Sequence, residues 1–491
     1  MGSFVLGIDQ STQGTKALLY DETGALIGRS DLLHRQYVNS RGWVSHDTEE
    51  ICRNTLQTVR NVVEKAGIPG EEIRVLGISS QRETVAAWSR STGKPFCHAV
   101  VWQCTRGESI CRELEEQGHA DRIRELTGLP LSPYFSAAKM AWILRNIPEA
   151  ARAAKRGDLC MGTMDSCLIY HLTEGRVFRM DFSNASRTQL FNIHTLSWDA
   201  ELCSLFGIPV SCLPEIEDSD GDFGETDFGG FLEKTIPIRG VLGDSNGALF
   251  GQQCLEPGTI KTTYGTGSSV MMNIGDQPML SRQVVTSAAW KISGKVDYVL
   301  EGNINYTGAV ISWLQKDLHL IDSPSEAENL AAGANREDRT YLVPAFTGLG
   351  APYWDSDARA VFCGMSRSTG RAEIVKAGLE SIAYQITDIL KAMSRESGIP
   401  IRELRVDGGP TRNSYLMQFQ SDIAGVAVDV PDIEELSGTG AAYLAGISAG
   451  IYDREEIFGR ICRKRFEPQM SGAERERKYS GWQNAVGRAL R

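Results

Sequence analysis

Two stretches of this chain, about half its length apart, follow one pattern of alternating character. Phe4 to Ile8 is apolar, Asp9 to Thr15 (DQSTQGT) is small and polar, and Ala17 to Tyr20 is apolar again. Thr259 to Thr263, Tyr264 to Ser269 (YGTGSS) and Val270 to Ile274 repeat it. Each reads as a β-hairpin around a tight polar loop, not as a strand-to-helix phosphate loop. Duplication at this range predicts two related α/β domains, each opening with a hairpin whose small residues face a shared cleft. At 491 residues the chain is too long for one ordinary domain. We place the boundary near residue 252, giving domains 1–252 and 253–491.

The remaining periodicity fits that plan. Helices are expected over 48–66, 137–145, 306–316, 371–397 and 438–449, and strands over 75–78, 240–242, 341–343 and 404–406. The 50 glycines, about 10% of the chain against a usual ~7%, gather in short turns, which suggests loops approaching phosphate.

Net charge −11, with no basic run longer than Arg463-Lys464-Arg465, argues against a nucleic-acid or membrane-surface partner. Eleven cysteines without a C-x-x-C pair suggest neither a disulfide framework nor a zinc site, and favour a reduced cytoplasmic setting. The first residues lack a basic leader and Gly2 lacks a myristoylation context, so neither is expected. No stretch approaches about 18 uninterrupted apolar residues, so no membrane span is expected.

The Walker G-x-x-x-x-G-K-[S/T] and dinucleotide G-x-G-x-x-G patterns are absent, so a nucleotide would have to be held by other loops. The first hairpin loop offers backbone N–H groups, the hydroxyls of Ser11, Thr12 and Thr15, Lys16, and the Asp9 carboxylate, which can hold Mg²⁺ through water. It reads equally as an ordinary polar turn. In the second loop Gly265 and Gly267 permit close approach to a polyphosphate and Thr266 can donate to it. VDGGPTRNSYLMQ (Val406 to Gln418) ends a strand in Asp407 and runs through two glycines into a helix. Asp244 follows an apolar strand, where a lone Asp also serves as a helix cap. Arg82 and Glu83, in SSQRET, read as a ligand-binding pair or as a structural ion pair.

Taken together, these stretches resemble the FGGY carbohydrate kinases, and among them the glycerol kinases most. The resemblance runs through GIDQSTQGTKA, ISSQRET, AVVWQ, PYFSAAKMAWIL, FSNASRTQLFNIHTLSWD, GDSNGALFGQ, TYGTGSS, PAFTGLGAPYWD, AEIVKAGLESIAYQ, RVDGG and GAAYLAG, in the family's order. It implies two actin-like domains of the hexokinase and ribonuclease H-like type, with ATP and acceptor meeting in the cleft between them. It implies ATP and Mg²⁺ as cofactors, a small polyol or sugar as substrate, and a homodimer or homotetramer. By position, Asp244 matches the general base; Arg82, Glu83, Trp102 and Tyr134 match the acceptor-binding residues; Asp9 matches the Mg²⁺-associated carboxylate. Ser11, Thr12, Gln13 and Lys16 fall at the phosphate loop, and Thr266, Gly308, Gly409 and Asn413 match nucleotide contacts.

The departures fall beside the acceptor. Ser245 stands where glycerol kinases usually carry Gln, Ser269 where they carry an aromatic, and Cys104-Thr105 interrupts their WQDRR. Two serines remove an apolar wall and add hydroxyls, which predicts a four- or five-carbon polyol in place of glycerol. The segment from Phe228 to Lys234 lacks the basic and histidine patterns of regulated relatives, so that regulation is not expected. A ketopentose kinase is the nearest alternative, although such relatives usually lack the Gln81-Arg82-Glu83 triplet. An actin-like binding module is the other, and it would leave the acceptor-side residues without a purpose.

Overall fold

A computed structural model describes residues 2–490. Its frame is two large sheets. In the first, β1 (Phe4–Gln10), β2 (Gly14–Tyr20) and β3 (Leu26–Leu33) form an antiparallel meander, β4 (Ile73–Ser80) joins β1 in parallel and β6 (Ile236–Gly243) joins β4 in parallel, with the short β5 (Glu225–Thr226) at the edge. In the second, β7 (Thr259–Tyr264) and β8 (Ser268–Gly275) form the hairpin, β9 (Val285–Ile292) and β10 (Lys295–Ile304) extend it antiparallel, and β11 (Glu403–Asp407) joins β7 in parallel. β12 (Val428–Pro431) and β13 (Arg463–Phe466) complete its far edge. Both sheets therefore build a hairpin, extend it antiparallel on one side, and continue it in parallel on the other.

Helices begin and end where the local chemistry dictates. α1 (Thr48–Ala66) starts at Asp47, whose carboxylate accepts the Glu49 N–H, and stops at Gly67 in the left-handed region. It covers β2 and β3 and shares the core beneath the first sheet with α2 (Met164–Leu172). α3 (Asp244–Gly251) leaves directly from the end of β6. On the second sheet lie α4 (Gly308–Lys316), the 27-residue α5 (Arg371–Ser397) and α6 (Ser414–Ala424).

One helix departs from the expected division. α7 (Leu436–Ser448), from the half expected to hold nucleotide, packs on β1, β4 and β6 of the first sheet and against α3. The reason is steric. A Cβ on Gly440 would run into the Gly247 carbonyl, and Gly77 and Gly240 meet the Ala441 carbonyl in the same way. Gly77, Gly240 and Gly440 thus serve backbone-to-backbone packing of α7 and not a phosphate loop. α8 (Gly472–Ala489) returns to the second domain, where Asp388 of α5 accepts from Tyr479, Trp482 and Gln483.

Candidate active site

Two cavities meet at Gly265 and Thr266, between the sheets. The first, about 970 Å³, is lined by Asp9, Ser11, Thr12, Gln13, Arg82, Glu83, Trp102, Tyr134, Asp244, Ser245 and Ser269, and by Thr266 of the second hairpin. The second, about 910 Å³, contains Thr266, Gly308 and Gly409 beside Tyr306, Trp313 and Phe346. Residues scattered over most of the chain thus converge on one cleft.

Lys16 and Asn413 line neither cavity. Lys16 faces Asp9 across the hairpin, and its ammonium sits 2.6 Å from Glu435 and 3.5 Å from Asp9. Asn413 caps α6, its side-chain oxygen accepting from the Leu416 N–H at 2.9 Å, which leaves its NH₂ for another partner.

Strand ends position the polar groups. Asp9 lies near the end of β1, 5% exposed, with Ser79 at 3.4 Å. Burial pushes its carboxyl up to about 6, against the pull of Lys16, and Asp244 and Glu435 add to the rise. Asp244 opens α3, with Gly243 as the cap residue, and its Oδ1 accepts from the Ser245 N–H at 2.6 Å. It is therefore not the cap that a lone Asp suggested.

Arg82 and Glu83 sit on the turn after β4, Glu83 at a φ of 60°. The terminal nitrogens of Arg82 are both taken by Glu301 of β10, at 2.9 and 2.8 Å, so that fork is closed to a diol. The Nε edge remains, 3.6 Å from Asp244. Glu83 Oε1 accepts from Arg187 Nε at 2.6 Å, and Arg187 Nη1 lies 3.2 Å from Glu301. Although burial opposes its ionisation, Arg187 and Arg82 hold the Glu301 carboxyl far below the usual carboxylate range. The wall beside this network is aromatic. Trp102 meets Tyr134 edge-on at 5.4 Å and donates its indole N–H to the Thr12 hydroxyl at 2.9 Å, joining the aromatic wall to the first loop. Burial pushes the Tyr134 phenol well above its ordinary value, so it stays protonated.

The family model described as the N-terminal domain of the FGGY family of carbohydrate kinases matches residues 4–251, and that of the C-terminal domain matches 260–449. The chain belongs to the FGGY family of carbohydrate kinases. Among relatives of this FGGY kinase, glycerol kinase 1 of Thermotoga maritima is 50% identical over 490 residues, 99% of each chain. A glycerol kinase of Caldanaerobacter subterraneus is 46% identical over 100% of this chain and 99% of its own. A crystal structure of Plasmodium falciparum glycerol kinase with ADP superposes with a TM-score of 0.95 at 37% identity, covering 100% and 99% of the two chains. A xylulose kinase from Lactobacillus acidophilus, at 20% identity and a TM-score of 0.88 over 99% of each, shows the same fold. The FGGY kinase is therefore an ATP-dependent phosphotransferase of the glycerol kinase type, acting on an alcohol and using Mg²⁺.

The residues of the FGGY kinase fit those cofactors. Among the described residues Asp9 is a buried carboxylate with two long polar contacts, which suits a hydrated cation. At Gly408 φ is 98° and a Cβ would strike the Tyr264 carbonyl, while a Cβ on Gly409 would meet nothing within 4 Å, leaving that peptide open to a ligand. Phe346 packs 5.0 Å from Tyr306 and 4.8 Å from Trp313, an aromatic wall suited to a purine.

Sequence reasoning missed Arg187, Glu301, Lys139 and Lys261. Glu301 had a signal, a charge inside the apolar strand YVLEGN. Lys139 is fully buried, bonds the Tyr134 and Phe135 carbonyls, and is pulled down to about 7 by burial against the influence of Glu83. Lys261 is buried and lines the first cavity, and burial lowers its pKa against the opposing charge of Asp407.

Proposed function

We propose that this kinase phosphorylates a terminal primary hydroxyl of a four- or five-carbon polyol. The supporting observation is Ser269: it lines the same cavity as Asp244 and Ser245, and its hydroxyl has no hydrogen-bond partner among the described residues. An unmatched hydroxyl there weighs against a small acceptor by about 1–3 kcal/mol and favours one whose own hydroxyl reaches it. Glycerol is the competing acceptor, because the relatives at 50% and 46% identity carry that name.

In this reading Asp244 takes the proton of the attacking hydroxyl, and the free Nε edge of Arg82 and Oε2 of Glu83 orient its neighbours. Trp102 and Tyr134 wall the acceptor from water. Mg·ATP, when bound, supplies the phosphoryl group and the divalent charge that neutralises it. Asp9 would hold the cation through water, Ser11, Thr12 and Gln13 would hold the phosphates, and Thr266, Gly308 and Gly409, with the amide of Asn413, would hold the nucleotide. The eleven free thiols support a cytoplasmic setting. The homodimer or homotetramer belongs to this proposal and is checked by sedimentation.

The deciding experiment is ADP release with Mg·ATP over glycerol, erythritol, threitol, the pentitols, xylulose and ribulose. A four- or five-carbon polyol ahead of glycerol by a hundredfold in kcat/KM supports the proposal; glycerol ahead of all of them overturns it.

A further inference from the structure

Away from the cleft, Cys52 of α1 and Cys167 and His171 of α2 bring two sulfurs and an imidazole nitrogen within 4.8 Å of one another. Cys167 and His171 stand four residues apart and share one face of their helix, while Cys52 comes from the helix beside it. Both helices are rooted in the core beneath the first sheet, so the three groups are held from two rigid elements. None of them lines either cavity of the cleft.

The donor set is specific in its chemistry. Two thiols and an imidazole suit a borderline-soft divalent ion and suit Mg²⁺ poorly. Two thiolates on one tetrahedral zinc, each about 2.3 Å from it, lie about 3.8 Å apart, so a contraction on the order of 1 Å by side-chain rotation closes the set. Cys167 is buried, whereas Cys52 and His171 are half-buried, leaving an entry path from solvent. The imidazole of His171 can give the ion a nitrogen lone pair, and water from the open side can take the fourth position. Each sulfur binds the ion as thiolate, so coordination would release the thiol protons to solvent.

We propose that Cys52, Cys167 and His171 form a zinc site that staples α1 to α2, with water completing a tetrahedron. Ions bound there would stabilise the acceptor-side sheet without entering the reaction.

The test titrates the full-length chain, stripped with chelator, with Co²⁺ and then Zn²⁺. The expected result is one Co²⁺ per chain with thiolate-to-cobalt charge-transfer absorption, displacement by Zn²⁺, and a Tm that rises on Zn²⁺ addition. Cys52→Ser and His171→Gln should each weaken the ion by at least about tenfold, the scale of losing even an outer-shell partner, and should abolish the Tm rise. Wild-type kcat/KM for Mg·ATP in both variants verifies that they are folded. Absence of charge-transfer absorption in the wild-type chain overturns the proposal, as does unchanged binding in either folded variant, which would assign the ion to other cysteines.

Discussion

Both oxygens of Glu301 accept from Arg82, at 2.8 and 2.9 Å, although Glu301 belongs to the second sheet and Arg82 to the turn after a strand of the first. Side-chain exposures of 0% and 4% put the pair in the interior, where an ion pair is worth keeping only if its geometry is complete. The bond does two things at once. It ties the sheets together at the cleft, and it turns the Nε edge of Arg82 toward Asp244.

Glu301→Gln keeps the shape and removes the charge that Arg82 and Arg187 share. The acceptor KM should rise by about tenfold or more while the KM for Mg·ATP moves little, and stability should fall by about 3–5 kcal/mol, as for a broken buried pair. Denaturant melts and steady-state kinetics read both effects; an unchanged acceptor KM would show that the pair only holds the sheets together.

Asp9 carries a pH signature. Its folded pKa, about 6, lies above the unfolded value of about 3.9, so the group favours the fold fully below about pH 4 and loses that contribution as pH rises through 6. Asp9→Asn should therefore stabilise the metal-free chain at pH 8 by up to about 3 kcal/mol, with little difference near pH 4. In the wild type, the Mg²⁺ concentration needed for half-maximal rate should climb as pH falls below 6. A requirement that is flat from pH 5 to 8 would remove Asp9 from the metal's surroundings.

Asp244→Asn should lower kcat by about 10²–10⁴-fold, the usual contribution of a general base, with ADP affinity nearly intact. Calorimetry with ADP, set beside turnover, separates the two. Undiminished turnover would remove Asp244 from the proton transfer.

Ser269→Phe combined with Ser245→Gln restores the side-chain types usual at these positions in glycerol kinases. The ratio of kcat/KM for glycerol to that for a pentitol should rise by about 10–200-fold, the range set by one methylene-sized change in a pocket. A ratio that does not move would show that acceptor length is read elsewhere.

Local elements were legible because their signals are local. Thr48–Ala66 and Arg371–Ser397 end where glycine can enter the left-handed region, at Gly67 and Gly398, and both were read to the residue. Most of the cleft was legible because Asp9, Arg82 and Asp244 sit at strand ends within recognisable stretches. Illegible were the pairings made between elements far apart in the chain. Nothing local to Arg187 announces a partner in β10, and nothing in the spacing of Cys52 and Cys167 reveals that α1 and α2 lie side by side. Lys16 was misplaced because a lysine beside a phosphate-type loop looks available, whereas Glu435, from the far end of the chain, already holds it. The glycine count misled for a related reason: close approach of backbone to backbone and of backbone to phosphate demand the same residue.

The position of α7 also constrains how the chain is made. As the polypeptide leaves the ribosome, the first sheet is complete once β6 has emerged, yet the helix that roofs it lies beyond the whole hairpin, α5 and α6 of the second domain. The apolar face around Gly77 and Gly240 must stay uncovered throughout that interval. The first half is therefore the first to be synthesised and among the last to be sealed, and a nascent chain cut after residue 252 would present a sticky surface to chaperones instead of a finished domain.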